Sequence, residues 1–221
     1  IAAAIATINE LSGGRAVLGL GAAGGNVLKR QLFAPRHPLL HCREAIDVIR
    51  PLLAGKTVKY QGKTVAVSDY RLHMKKMNVP IYLGARGPKM LELAGEVADG
   101  VFIDGLGAWP PALKGFLRHV EAGTRRSGRG LDELDVVCWT RIAIAEDPAP
   151  LRDLIRPIIG HRLSQVGDSM LREKFGVELG LAHRIKEEFE EAKKNWDPHR
   201  AVTMFPRDIE DLVPDSLVER Y

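Results

Sequence analysis

The stretch VPIYLGARGPKMLELAGEVADGVFI, from Val79 to Ile103, constrains this chain more than any other. A β-branched apolar run ends in the Gly-rich turn Gly84-Ala85-Arg86-Gly87. Pro88 then stands at a first helical position, a short amphipathic helix follows, and a second apolar run begins after Ala98-Asp99-Gly100. This is the pattern of a strand–loop–helix–strand unit. Its loop falls at the carboxyl end of a strand and the amino end of a helix. Unpaired N–H groups and the positive end of the helix dipole converge there, so an anion, above all a phosphate, is well received. Arg86 adds a charged fork to the same corner.

The flanking sequence repeats the theme. Ile1, Ile5, Ile8 and Leu11 recur at helical spacing until Gly13-Gly14 stops the helix. Residues 15–20, RAVLGL, read as a short buried strand, and the small-residue loop Gly21 to Asn26 follows. A helix is expected over 38–54, with Cys42, Ile46, Ile49 and Leu53 inward and Pro51 kinking or shortening its end. Residues 56–67 read as a small hairpin turning at Gln61-Gly62. Then come a strand over 80–84, a helix over 88–98, a strand over 101–104, and a helix over 111–126 with Leu113, Phe116, Leu117 and Val120 inward. DVVCWTRIAIA, residues 135–145, is the longest strand signal. Beyond Pro150 the pattern is helical, over 151–163, 169–176, 179–195 and towards Leu217. RIKEEFEEAKK reads as a solvated outer face with i,i+4 charge support.

Short apolar strands separated by helices imply a parallel sheet covered by helices, and such sheets bind ligands at the carboxyl ends of their strands. The candidate site is therefore Gly21 to Asn26, Gly84 to Gly87, Asp104 to Trp109 and the end of the 135–145 strand. Four strands are too few to close a barrel, so the sheet is open or the barrel partial.

Other chemistries find little support. The formal charge of +4 is mild for 221 residues, and the basic residues form no aromatic-laced stripe, which argues against nucleic acid. No run of eighteen apolar residues occurs, so no membrane span is expected. Cys42 and Cys138 lack metal-ligand spacing and read as reduced core residues of a cytoplasmic protein. HExxH, GxSxG and GxxxxGK[ST] are absent, and the Gly84 to Gly87 loop does not fit GxGxxG. His37 and His41 read as ordinary polar groups rather than ligands.

In order and spacing, INELSGGRAVLGLGA at 8–22, REAIDVIRPLLAG at 43–55, PIYLGARGPKMLELAGEVADGVFI at 80–103 and LVPDSLVERY at 212–221 resemble the luciferase-like monooxygenase superfamily. Within it the likeness is to methylenetetrahydromethanopterin reductase-like, coenzyme F-420-dependent oxidoreductases. The resemblance implies a (β/α)8 TIM barrel lacking its first three strands and its last strand in this chain. Residues 1–221 would form one partial barrel domain, with a hairpin insertion near 56–67 and a helical excursion near 150–215. The site of such a piece would be incomplete, and the piece itself inactive. The implied activity is hydride transfer between an F-420-type deazaflavin and an organic substrate, with a methylenetetrahydromethanopterin-like pterin as one candidate. A flavin mononucleotide (FMN)-dependent monooxygenase and a non-catalytic flavin-binding relative stay open as alternatives. Gly84, Ala85, Arg86 and Gly87 would hold the cofactor phosphate. Gly21, Ala22 and Ala23 would lie against the ring or ribityl chain, with Asn26 as a donor at the rim. Asp104, Trp109, Trp139 and Arg141 would line the substrate pocket. No catalytic acid or base is assigned. A small-molecule substrate and a homo-oligomer, a dimer, complete the expectation.

Overall fold

The computed structural model describes residues 1–22, 37–103, 110–139, 144–147, 149–165, 167–195, 206 and 209–218. The chain divides into two compact units, Ile1–Thr140 and Arg141–Tyr221.

The first unit opens with helix α1 (Ala2–Leu11) and strand β1 (Leu18–Leu20). Gly13 (φ 68°) and Gly14 (φ 85°) turn the chain between them through the left-handed region, where a Cβ is disfavoured. Helix α2 (Pro38–Leu53) and the hairpin β2 (Val58–Gln61) and β3 (Ala66–Tyr70) follow. Next come β4 (Ile81–Ala85), α3 (Pro88–Val97), β5 (Gly100–Ile103), α4 (Pro110–Arg126) and β6 (Asp135–Cys138).

Strands β1, β4, β5 and β6 form one parallel sheet in that order. Each strand lies beside the next one of the sheet in sequence, as in one wall of a barrel, and the order does not reverse as it does in a doubly wound sheet. The register aligns Leu18 with Ile81, Tyr82 with Gly100, and Gly100 with Asp135.

Alternation along β4 decides which face is covered. Ile81, Leu83 and Ala85, with Val101 and Ile103 of β5, are buried with residues of the helices: Leu91, Ala94 and Val120 share a cluster with Leu83, Ala85, Val101 and Ile103. Tyr82, Gly84 and Phe102 take the opposite face, where Phe102 keeps 44% of its surface exposed. Helices α3 and α4 approach so closely that a Cβ on Gly95 would lie 2.1 Å from the Val120 carbonyl oxygen.

The expected inward residues of α2 are buried, and the helix runs through Pro51 to Leu53 rather than ending early. In α1 the buried side is Ala2, Ile5, Ala6 and Asn9, while Ile1, Ile8 and Leu11 are exposed. Apolar spacing there fixed the helix but not its inner face, because small Ala2 and Ala6 pack closer and Asn9 is drawn in to accept a hydrogen bond from the Ala16 N–H, 3.3 Å. Of the strand expected over 135–145, Asp135–Cys138 is formed; residues 140–143 lie outside the described residues, and Ile144 is 91% exposed.

At the amino end of the sheet, Arg50 grips the Asp99 carboxylate with one guanidinium nitrogen at 3.0 and 2.9 Å and donates to the Val97 carbonyl at 3.0 Å. Asp99 in turn accepts the Ile81 N–H at 2.8 Å, tying the start of β4 to the end of α2.

The second unit is helical: α5 (Ala149–Leu163), α6 (Asp168–Phe175), α7 (Leu179–Asn195), α8 (Ile209–Leu212) and α9 (Asp215–Val218). A Cβ on Gly160 would sit 2.7 Å from Val213 and 2.8 Å from Phe189, so that glycine lets α5 meet both. Buried Arg156 donates to the Val213 carbonyl and to Asp215, joining α5 to the last two short helices. Among the described residues, no helix is long and apolar enough to cross a membrane.

Candidate cofactor site

The carboxyl ends of β1 and β4 meet where side chains are smallest. Leu20 pairs with Leu83, so Gly21 and Ala22 continue beside Gly84 and Ala85. A Cβ on Gly84 would lie 3.5 Å from the Leu20 carbonyl oxygen, and one on Gly21 would meet nothing within 4 Å. Ala85 is buried at 6% exposure among the residues under the helices, and Ala22 packs on the same cluster. These two alanines therefore offer backbone to the corner, not side chain. Gly84 and Gly21 leave the opposite face without a side chain of their own.

Arg86 and Gly87 lead into α3. Gly87 is its N-cap, in extended conformation (φ −82°, ψ 152°), with no side chain capping the helix and with Pro88 in the first turn. The Gly87 carbonyl accepts from Met90 and Leu91, both at 3.0 Å, while the N–H groups of Gly87 and Lys89 make no backbone hydrogen bond among the described residues. Free donors at the positive end of a helix dipole fit a phosphate group. The first turn holds no acidic residue to compete for them.

Further along the sheet, Gly84 aligns with Phe102 and Phe102 with Val137. Trp139 extends this wall: its N–H donates to the Ile103 carbonyl at 3.0 Å, and 44% of its surface is exposed. Of the residues expected at the site, Gly21, Ala22, Gly84, Ala85, Arg86 and Gly87 come together at one corner, and Trp139 stands at the carboxyl end of β6, two strands from β4. Ala23, Asn26, Asp104, Trp109 and Arg141 lie outside the described residues.

Two residues of the open face escaped the sequence reading. Tyr82 reaches across Gly100 to donate its hydroxyl to Asp135, two strands away. The crossing needs a glycine, since a Cβ on Gly100 would lie 2.8 Å from the Tyr82 ring. The hydrogen bond to Asp135, and secondarily burial, push the Tyr82 phenol above its usual range. Strict alternation in IYLGA was the available signal, because it sets Tyr82 on the face opposite Ile81 and Leu83. This pair sits at the amino end of the sheet, below the Gly84 corner.

No group of His, Cys, Asp and Glu able to hold a metal ion occurs among the described residues. Both cysteines are free thiols; burial pushes Cys42, and less deeply Cys138, above the ordinary thiol range, away from thiolate chemistry.

Comparison with known proteins agrees with this architecture. The luciferase-like monooxygenase family model matches residues 1–216. A 5,10-methylenetetrahydromethanopterin reductase of Archaeoglobus fulgidus is 34% identical over 224 residues, covering 99% of this chain and 67% of the relative. The enzyme of the same description from Methanolobus tindarius is 34% identical over 80% of this chain and 53% of its own length. The solved structure of a coenzyme F-420-dependent tetrahydromethanopterin reductase from Methanopyrus kandleri superposes with a TM-score of 0.75 at 27% identity, over 99% of this chain and 68% of that one. The chain thus spans between about half and two thirds of the proteins it matches. Its parallel wall, its strand order and the match over nearly every residue place the chain in the luciferase-like monooxygenase family.

Proposed function

We infer that this protein is an oxidoreductase that transfers a hydride between an F-420-type deazaflavin and an organic substrate, for which a methylenetetrahydromethanopterin-like pterin is the first candidate. The observation that carries the reading is the corner where Gly21 and Gly84 adjoin the uncapped start of α3, in a chain 34% identical to a methylenetetrahydromethanopterin reductase over 99% of its length. The amides of Gly87 and Lys89 and the Arg86 guanidinium hold the phosphate. The bare backbone at Gly21 and Gly84 lets a flat ring or its ribityl chain lie close to the sheet. When bound, the deazaflavin supplies two-electron hydride chemistry, and the protein fixes its geometry and excludes water. Trp139 is assigned to the substrate side. The working protein is a cytoplasmic homo-oligomer, a dimer, which sedimentation equilibrium would check.

The test is equilibrium binding of coenzyme F-420 and, separately, of FMN, followed by their visible absorbance. Native protein is expected to bind the deazaflavin, and Arg86→Ala to weaken it by about 1–3 kcal/mol, roughly 5–150-fold, through loss of a charge-assisted bond. Preference for FMN with oxygen consumption driven by NAD(P)H would move the protein to the monooxygenase reading. Binding of neither cofactor would sink both.

A further inference from the structure

A dense run of positive charge lies in the hairpin and the segment after it, outside the residues of the proposed cofactor corner. Between Lys56 and Lys76, six cations (Lys56, Lys59, Lys63, Arg71, Lys75 and Lys76) face a single acid, Asp69, whereas the whole chain carries a net charge of only +4. All six side chains are exposed. None of them makes an ion pair among the described residues, while Arg43 and Arg50 on α2 and Arg125 and Arg126 on α4 are each paired with a carboxylate.

These charges are mounted rigidly. The hairpin turn is clamped by buried Glu44, whose carboxylate accepts the N–H groups of Lys63, Thr64 and Val65 at 2.8, 2.7 and 2.9 Å and the Thr64 hydroxyl at 2.5 Å. Val58 and Leu72 anchor the hairpin and the segment leaving it in the core, each at 6% exposure. The Met77 N–H donates to the Leu53 carbonyl at 2.9 Å, and a Cβ on Gly55 would lie 3.7 Å from the Lys76 Cβ, so Lys75 and Lys76 return beside Lys56. A partner landing here would order no loop.

Protection of an exposed strand edge explains Lys59 on β2. It does not explain Lys56, Lys75 and Lys76, which lie outside both strands. Lys75 and Lys76 precede the start of β4, just before which Pro80 accepts the Leu18 N–H at 2.9 Å. Gly84 to Gly87 lie at and beyond the carboxyl end of β4, a strand roughly 13 Å long at about 3.3 Å per residue.

Five of the six cations are lysines. An ammonium is a compact, strongly hydrated point charge, suited to diffuse attraction towards carboxylates rather than to forked recognition of phosphate or base edges. Surfaces of this kind speed association and give short-lived complexes.

We propose that the Lys56–Lys76 surface is a docking site for an acidic protein segment, engaged transiently through carboxylate–lysine attraction. The probe is a fluorescein-labelled deca-aspartate peptide, titrated by anisotropy at about 0.05 M and about 0.3 M salt. Saturable binding at the lower salt, lost at the higher, is expected. Lys75→Glu with Lys76→Glu should weaken it at least about tenfold, equivalent to about 1.4 kcal/mol. Lys114→Glu with Arg118→Glu on α4, the same change in net charge, should leave it unaltered. If the first pair fails to fold by circular dichroism, Lys75→Gln with Lys76→Gln takes its place, with a smaller loss expected. Absence of saturable binding, or equal weakening by both charge-reversed pairs, would overturn the proposal. So would tighter binding of a single-stranded DNA of equal charge or of phosphatidylserine vesicles.

Discussion

Gly123→Ala puts the packing of the helical layer to a direct test. In an isolated helix this change stabilises by about 1 kcal/mol, because alanine is the better helix former and restricts the unfolded chain. Here a Cβ on Gly123 would lie 1.9 Å from the Glu92 carbonyl oxygen, 2.8 Å from its carbon and 3.0 Å from the Glu96 nitrogen. These are backbone atoms, which cannot rotate away as a side chain can. Restoring a tolerable separation requires α3 and α4 to part by about 1.5 Å. Leu91, Ala94 and Val120 line that interface at 0% exposure, and a gap of even 0.5–1 Å forfeits about a quarter to a half of a contact's attraction. Overpacking costs about 1–3 kcal/mol before that loss is counted. The propensity gain therefore loses, and a net destabilisation of roughly 2–3 kcal/mol is expected, a fall in Tm of about 4–12 °C for a chain of this size. Gly115→Ala is the control: it lies on the same helix, but its Cβ would meet nothing within 4 Å, so it should gain about 0.5–1 kcal/mol. Thermal and urea denaturation read both. A Gly123→Ala protein as stable as Gly115→Ala would refute the close helix crossing.

The Glu44 clamp makes stability depend on pH. The Thr64 hydroxyl first, then the N–H groups of Lys63, Thr64 and Val65, hold its carboxyl at about 2 against an ordinary 4.5. A carboxyl depressed on folding contributes fully above the ordinary value, and the contribution fades as pH falls from about 4.5 to about 2. Glu44→Gln should therefore be less stable than the native protein at pH 7 in urea, and the two midpoints should converge through that window; a gap unchanged at pH 2 would refute the linkage. Arg129 donates to the Gly95 and Ala98 carbonyls at 2.6 and 3.0 Å and caps the end of α3. Its replacement by Ala should cost about 1–3 kcal/mol, with Lys restoring only part, since one ammonium cannot span both carbonyls as the fork does. Leu83→Ala, at a fully buried strand position, should cost about 2–5 kcal/mol in the same assay.

How far the sequence could be read differed from one element to the next. The unit from Val79 to Ile103 was legible almost to the residue, because period-2 alternation, a Gly-Pro helix start and period-3.6 burial agree within one short stretch. Helix α2 was legible for the same reason, its inward residues being large and evenly spaced. In α1 the large apolar residues misled. Ile1, Ile8 and Leu11 mark a helix, yet burial fell to Ala2, Ile5, Ala6 and Asn9. Nor could local pattern end β6 at Cys138, since a β-branched run continues beyond it.

Sequence alone determined the order of elements, the parallel sheet and the glycine corner before α3, since each follows from local periodicity and from the rules that connect strands through helices. Three arrangements belong to tertiary structure. The approach of Gly95 to Val120 and of Gly123 to Glu92, the Tyr82 bond across Gly100 to Asp135 and the Glu44 clamp each join residues between 19 and 53 positions apart. Such residues are brought together by the register of strands and the crossing of helices, which no local periodicity encodes. The charge of the hairpin is written in its residues. That these charges stand without an ion-pair partner among the described residues was decided by the fold.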